Sequence, residues 1–310
     1  MRRTTTMLEA EMSNPTYPRH RTRRGVLTGS AAALGVAALP AWTLPRSHGG
    51  LEVLALLDAA GPFPWKSAAA FPDATTDDWA RAKRLDPAAF GPDDGWNLVF
   101  RCFAVRRPGG RVTLVDTGVG PEGSPASSWA PVPGRLPDAL SEVGIAVSDV
   151  ERVVLTHLHE DHYGWAVLPD GTPMFPDARY VVQHAEVASL DAGSSSISYV
   201  VDPLRRAGQL HEVQGRVRVP AAGGSLTLLP TPGHTVGHQS VLVEGGRRRI
   251  LITGDVLVHA VQLAAPEVSY ALEADPATAR RSRLALLELA RERRALLATA
   301  HLNHPFIEPR

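Results

Sequence analysis

The sequence predicts an α/β protein, and three observations carry that reading. Short apolar runs rich in Val, Ile and Leu recur at strand length, at 98–105, 112–115, 153–155, 225–229, 241–243 and 250–252. Runs of this kind, bounded by turn residues, suit buried strands. Helical signals alternate with them, the clearest beginning at Asp275 as N-cap with Pro276 at the first helical position. Third, four separate strands stop abruptly in His or Asp: the run 153–155 before His157 to His162, the run 225–229 before His234, the run 250–252 before Asp255, and the run 295–300 before His301. One polar residue at a strand end is unremarkable, but four in the same ligand chemistry point to one shared site.

The 310 residues are 44% hydrophobic and 21% charged, with 32 basic and 32 acidic side chains. Such a chain is long enough for one large domain or two small ones. Its balanced charge gives no reason to expect nucleic acid or an anionic membrane as partner. Cys102 has no second cysteine to pair with and, inside the run 98–105, reads as a buried structural thiol.

Residues 1–41 read as a segment apart from the fold. Arg19, Arg21, Arg23 and Arg24 precede the uncharged, mostly apolar run 25–39, which is short for a membrane span but suits the core of a signal peptide. Arg23 and Arg24 followed by Gly25, Val26 and Leu27 resemble a twin-arginine export signal. Export predicts a secreted or extracytoplasmic protein, folded before it leaves the cytoplasm and without a stable membrane span afterwards. A cytoplasmic protein with an uncleaved tail is the alternative. Removing 1–41 takes six Arg and two Glu from the 32 of each sign and leaves a net charge of −4.

Residues 42–95 read as an N-terminal extension packed on a catalytic domain at 96–310 and covering the mouth of its site. Pro62, Pro64, Pro72, Pro87 and Pro92 are expected to break any long element, leaving a strand at 51–57 and a short helix at 77–85 with Trp79 on its apolar side. The strands 98–105 and 112–115 are joined by the turn at Arg107, Pro108, Gly109 and Gly110. Gly118, Gly120 and Gly123 then match the spacing of a dinucleotide-binding loop. Pro121 and Pro125 prevent the helix that such a loop must open, so the glycines read as a flexible loop. A helix is expected at 136–143, with Pro137 in its first turn and Gly144 past its end. Beyond the histidines come a turn at 169–173, a strand at 179–183, a helix start at 184–190 and a surface loop over 191–210. The helix capped by Asp275 extends to about 293 with Leu284, Leu287 and either Ala290 or Arg291 on its buried face. Nine residues follow His301, and no further strand is expected among them.

Extended backbone places His157 and His159 on one side, and the bend after them brings Asp161 and His162 to the same space. Neutral imidazoles and a carboxylate held together suit a borderline divalent metal, zinc above all. Three histidines within six residues are hard to reconcile with an incidental polar loop.

The H-x-H-x-D-H run at 157–162, the T-P-G-H ending at His234, the G-D at Gly254 and Asp255, and the final His301 together resemble the metallo-β-lactamase fold superfamily. The likeness covers about 96–301. Segments 231–240 and 254–266 are similar to the branch of quorum-quenching lactonases and methyl parathion hydrolase-like esterases, more than to true β-lactamases. The resemblance implies a four-layer αββα sandwich with two metals at its strand-end loops. His157, His159 and His234 would hold one ion, Asp161, His162 and His301 the other, and Asp255 would bridge them. An anionic bridge is what two closely spaced cations require. The implied activity is that of a metal-dependent hydrolase in which a metal-bridging hydroxide cleaves a lactone, ester or phosphotriester of a small molecule. Asp161 would orient the hydroxide and Asp255 would shuttle its proton, and the cofactors would be two divalent ions, zinc first. Asp116, His238 and His259 are candidates to orient the ligands, and His304 competes with His301 for its place. Lactonases of this branch carry Tyr three residues after the bridging Asp, where esterase-like relatives tend to have His; here Val258 stands there, with His259 next. An iron-dependent oxidoreductase or dioxygenase of the same fold, or a β-lactamase, are the alternatives. The oligomeric state is left open, a homodimer being one option.

Overall fold

Strand β1 (Trp42–Thr43), β2 (Glu52–Lys66), β3 (Gly95–Arg106), β4 (Val112–Val115), β5 (Val150–Val154), β6 (Arg179–Gln183) and β7 (Leu210–Val213) form one sheet in chain order. The computed structural model describes residues 42–43, 50–221 and 223–309, so the export signal expected at 1–41 lies outside the described residues. β1 to β4 pair antiparallel and β4 to β7 parallel. The second sheet runs β13-β12-β11-β10-β9-β8, with β8 (Val217–Ala221), β9 (Gly224–Pro230), β10 (Gln239–Glu244), β11 (Arg249–Ile252), β12 (Ala295–Ala298) and β13 (Phe306–Ile307). Its one parallel pair among the described residues is β11 with β12. The helices are α1 (Ser67–Ala70), α2 (Thr76–Leu85), α3 (Leu136–Glu142), α4 (Glu160–Tyr163), α5 (His184–Ala188), α6 (Asp202–Arg206), α7 (Ala260–Ala264) and α8 (Pro276–Arg293). Among the described residues no helix is long and apolar enough to cross a membrane.

Alternation along the strands divides the apolar residues among the layers. Val53 and Ala55 of β2 and Val115 of β4 pack with Leu228, Val241, Val243 and Ile252 of the other sheet to form the core between them. Leu54, Leu56 and Leu114 face outward onto Leu136, Leu140, Val201 and Leu204. On the far side Leu242, Leu251 and Leu297 pack against Leu286, Leu287 and Ala290 of α8. Each sheet is therefore covered on both faces, which is why its strands read as unbroken apolar runs. The layers stack helix, sheet, sheet, helix, the four-layer αββα sandwich.

Several local expectations are corrected. Residues 42–95 are not an extension laid on a domain that begins at 96. β2 is a full member of the first sheet, paired with β3 from Glu52↔Arg106 to Lys66↔Gly95. Pro62 and Pro64 do not end it, because β1 pairs only at Leu54 and Ala55. Beyond that point no strand pairs with that edge of β2 among the described residues, and a missing N–H there breaks no ladder. The loop at 191–210 is in fact a widened helical turn, Ile197–Val201, running into α6. Val200, Val201 and Leu204 are buried in the core, and their near-helical spacing was the signal missed. On α8 Leu284 is 44% exposed, and the buried face is Ala279, Arg283, Leu286, Leu287 and Ala290. The nine residues after His301 do contain a strand, β13, which pairs Leu297↔Ile307 and Ala298↔Phe306 with β12.

The glycine loop after β4 is pinned rather than free. Asp58, fully buried, accepts hydrogen bonds from the Val119 and Leu136 amides, each 2.7 Å, and from Trp165 Nε1 at 3.2 Å. Gly118 sits at φ +68°, and a Cβ there would overlap the Asp58 carboxylate, so glycine is required. Because β4, β5 and β6 run parallel, their C-terminal ends share one edge. β11 and β12 do the same in the second sheet.

Candidate metal centre

The strand ends bring all seven predicted ligands together in two groups. His157, His159 and His234 lie with Asp255, and Asp161 lies with His162 and His301. In the first group His157 Nε2 is 3.0 Å from His159 Nδ1, which is 3.0 Å from His234 Nε2. In the second, His162 Nε2 is 3.3 Å from His301 Nε2, and Asp161 Oδ2 is 3.5 Å from each. Asp255 spans both groups. Its Oδ2 lies 3.2 Å from His234 Nε2, and its Oδ1 lies 3.2 Å from His162 Nε2 and 3.1 Å from His301 Nε2.

These separations test whether the residues fit a metal. Nitrogen and oxygen ligands about 2.0–2.1 Å from a tetrahedral ion stand about 3.3 Å apart, which is the spacing seen here. The histidine tautomers agree. His301 Nδ1–H donates to the Val99 carbonyl at 2.8 Å, and His162 Nδ1–H donates to Asp116 Oδ2 at 2.8 Å. Thr156 Oγ1 gives its proton to Asp116 Oδ2 at 2.8 Å and so accepts from His157 Nδ1–H at 3.1 Å. In each case the outer nitrogen holds the proton and the lone pair of Nε2 faces the other ligands, as ligation demands. The donor set of imidazoles and carboxylates therefore fits divalent ions.

The electrostatics divide along the same line. Burial, then the neighbouring histidines, push His157 and His159 well below the ordinary imidazole range, so both stay neutral. Burial opposes protonation of His162 and His301 too, but Asp255 and Asp161 outweigh it and raise both. Burial likewise disfavours the Asp255 carboxylate, yet His301, His162 and His234 together hold it well below the usual range. The pocket thus pairs its anionic oxygens with ring nitrogens that compete for a cation.

The candidate orienting residues separate clearly. Asp116, at φ +61°, accepts from the Thr156 amide through Oδ1 at 2.7 Å while Oδ2 serves Thr156 and His162. A non-glycine residue in the left-handed region costs about 1 kcal/mol or more, and three hydrogen bonds hold it there. His238 Nε2 accepts from the Asp255 amide at 3.0 Å, so Nδ1 carries the proton and faces Thr231 Oγ1 at 2.9 Å. Burial and the nearby His234 push His238 down to about 3. Gly254, at φ +53°, has no room for a Cβ against the His238 ring, which fixes why Asp255 follows a glycine. His259 is a correction. Its Nδ1 caps α7 by accepting from the Val261 amide at 3.0 Å, and its ring packs among Phe71, Trp79, Phe90 and Trp96. An apolar cage of this kind explains why burial takes His259 down to about 3, and it leaves the ring no part in orienting ligands. Val258 is buried in the same cluster. His304 is exposed and stands outside both ligand groups, since the turn after β12 carries only His301 inward.

Four further residues serve the site without a motif to announce them. The buried Arg101 guanidinium donates to the Leu302 carbonyl at 2.7 Å and the Thr299 carbonyl at 3.0 Å, clamping the loop that carries His301. Glu160 accepts from Trp129 Nε1 at 2.8 Å, tying the 125–130 segment to the helix that carries Asp161 and His162. Tyr270 lies parallel to the His234 ring at 6.1 Å, tilted by 7°. Glu186 bonds to two ligand loops at once. Each is a lone residue of a common type in sequence, recognisable only once distant segments meet.

Two ligand groups sharing one carboxylate, at the strand ends of an αββα sandwich, define the class: a metal-site protein of that fold. The chain belongs to the metallo-β-lactamase superfamily, whose model (Metallo-beta-lactamase superfamily) matches residues 101–301. Among similar proteins, metallo-beta-lactamase domain-containing protein 1 of Mus musculus is 34% identical over 68% of this chain and 66% of its own length. An N-acyl homoserine lactonase of Rhizobium radiobacter is 31% identical over 46% of this chain and 58% of its own. A probable metallo-hydrolase of Mycobacterium tuberculosis is 31% identical over 39% of this chain, so the match spans about two fifths (41%) of that relative's length. Of solved structures, the hydrolase AbOPH superposes with a TM-score of 0.71 at 23% identity, covering 86% of this chain and 92% of its own. The dizinc quorum-quenching lactonase AidC, with a bound lactone-hydrolysis product, superposes at 0.67 and 18% identity, covering 86% and 91%. At these identities the structures support the shared fold.

Proposed function

We propose that this hydrolase opens a lactone or carboxylic ester of a small, uncharged substrate, or a phosphotriester of similar shape, with two zinc ions. The observation that carries the reading is Asp255, whose two oxygens face the two ligand groups separately. When bound, two such ions polarise an acyl or phosphoryl oxygen and acidify water to about neutral pH. The chain's own residues supply the rest. Asp116 and Thr156 hold His162 and His157 in their ligating tautomers, and His238 fixes the Asp255 backbone. Asp161, the other carboxylate in the pocket, lies beside the second group and can orient an attacking water, while Asp255 can take up its proton.

Two features support an uncharged, partly apolar substrate. Aromatic rings flank the ligands, with Phe100 edge-on to His301 at 5.8 Å, Trp129 against Phe100, and Tyr270 parallel to His234. Beside them stands the Glu160 carboxylate, and Arg101 turns its charge to backbone carbonyls instead of the pocket. The lactonases among the relatives point the same way. The test is a screen of zinc-loaded protein against acyl homoserine lactones, aryl esters, phosphotriesters and β-lactams, with metal content measured in parallel. Close to two zinc ions per chain and chelator-sensitive lactone or ester hydrolysis are expected. Undiminished turnover by metal-free protein, or iron as the bound metal, would overturn the proposal.

A further inference from the structure

Glu186 lies on α5, outside every motif, and is 2% exposed. One carboxylate oxygen accepts from the Leu158 amide at 2.9 Å, between His157 and His159. The other accepts from the Gly237 amide at 2.8 Å, in the loop that carries His234. A single buried carboxylate therefore ties together the two loops that supply the first ligand group. The contact is close enough to dictate sequence, because a Cβ on Gly237 would overlap the Glu186 backbone. The loop is braced from its other side by the start of α8, where the Asp275 amide donates to the Gly233 carbonyl at 2.9 Å and the Ala274 amide to the His234 carbonyl at 3.0 Å. The second group has no such tie to Glu186. Its ligands are held through Asp116, Val99 and the Arg101 clamp.

We propose that Glu186 is a positioning residue for one half of the centre, holding His157, His159 and His234 at ligating distance and so setting the affinity of that half more than that of the other. The inference rests on the ligand assignment above. A buried carboxylate that accepts two amide protons makes charge-assisted hydrogen bonds, stronger than neutral ones. Without it the 157–159 and 234–237 loops keep only their junction at Gln239, which donates to the Thr156 carbonyl at 2.9 Å and the Leu155 carbonyl at 2.8 Å, and three imidazoles that must meet within about 3.3 Å lose their common focus.

The test is Glu186→Gln, which keeps volume but turns an NH2 group toward one of the two amides. Zinc affinity is measured by chelator competition on the full chain, with cobalt substitution to read each half by its absorption. Against a parent that binds two equivalents, one equivalent is expected to weaken about 10–100-fold, the range for residues that orient ligands, while the other changes clearly less. Glu186→Asp, which keeps the charge but falls short by one methylene, is expected to show a smaller loss at the same equivalent and serves if the first variant does not fold. Parental affinity at both equivalents would refute the inference. So would equal weakening of both together with a lowered melting temperature of the metal-free protein, because that marks a general structural role. A parent that binds no metal would instead overturn the ligand assignment, and the hydrolase reading with it.

Discussion

Asp116→Asn is the sharpest probe of how the centre is built. Asp116 Oδ2 accepts from both Thr156 Oγ1 and His162 Nδ1 at 2.8 Å. The asparagine oxygen can keep the bond to the Thr156 amide, but its NH2 then faces His162 Nδ1–H. To avoid two opposed donors, His162 must move its proton to Nε2, the atom that faces Asp255 and His301. That proton occupies the ligand position. A net hydrogen bond to a charged group is worth about 1.5–3 kcal/mol, and at about 1.4 kcal/mol per decade its loss weakens metal binding roughly 10- to 150-fold. The effect should be largest at the equivalent held by His162. It should reach His157 more weakly through Thr156 Oγ1, which would now be offered a donor in place of an acceptor. Zinc titration against a chromophoric chelator reads both equivalents directly. Asp116→Asn protein that is folded and binds two zinc ions with parental affinity would show that the tautomer argument is wrong.

Two further outcomes follow from buried charges outside the ligand set. Arg101→Met deprives the Leu302 and Thr299 carbonyls of their donor. At about 1–3 kcal/mol for each buried group left unpaired, it should destabilise the metal-free protein by roughly 3 kcal/mol, seen as a melting temperature lower by about 6–12 °C; an unchanged melting temperature would contradict the clamp. Burial raises Asp58 to about 6, above the ordinary carboxylate value of 3.8. An acid whose folded pKa is raised binds its proton more tightly when folded, so its contribution to stability grows as pH falls through about 6 and is lost above it. The stability difference between the parent and Asp58→Asn should shift by about 2 kcal/mol in the parent's favour from pH 7.5 to pH 4.5, measured by urea unfolding of metal-free protein; a difference independent of pH would contradict it.

The ligands were legible in the sequence because each follows a strand directly, and strands announce themselves by apolar runs. The chemistry of the H-x-H-x-D-H stretch needs no tertiary information to suggest a metal. The long helix α8 was equally plain, since Asp275 and Pro276 mark its start by local backbone chemistry alone. By contrast, β2 was obscured by Pro62 and Pro64, whose effect depends on whether a neighbouring strand needs their N–H groups. The role of His259 could not be read from its place beside Val258, because its fate was decided by Phe71, Trp79, Phe90 and Trp96, which come from distant segments.

By itself, then, the sequence determined which side chains the metals would meet and that strand ends would deliver them. Only the tertiary structure decided how Asp255 divides its oxygens between the two groups, which nitrogen of His157, His162 and His301 is free, and that Glu186, Asp116 and Arg101 hold the loops. The physical reason is range. Strand, cap and ligand preferences act over a few residues, whereas a tautomer or a loop tie is set by a hydrogen-bond partner tens to hundreds of positions away, as between Arg101 and Leu302.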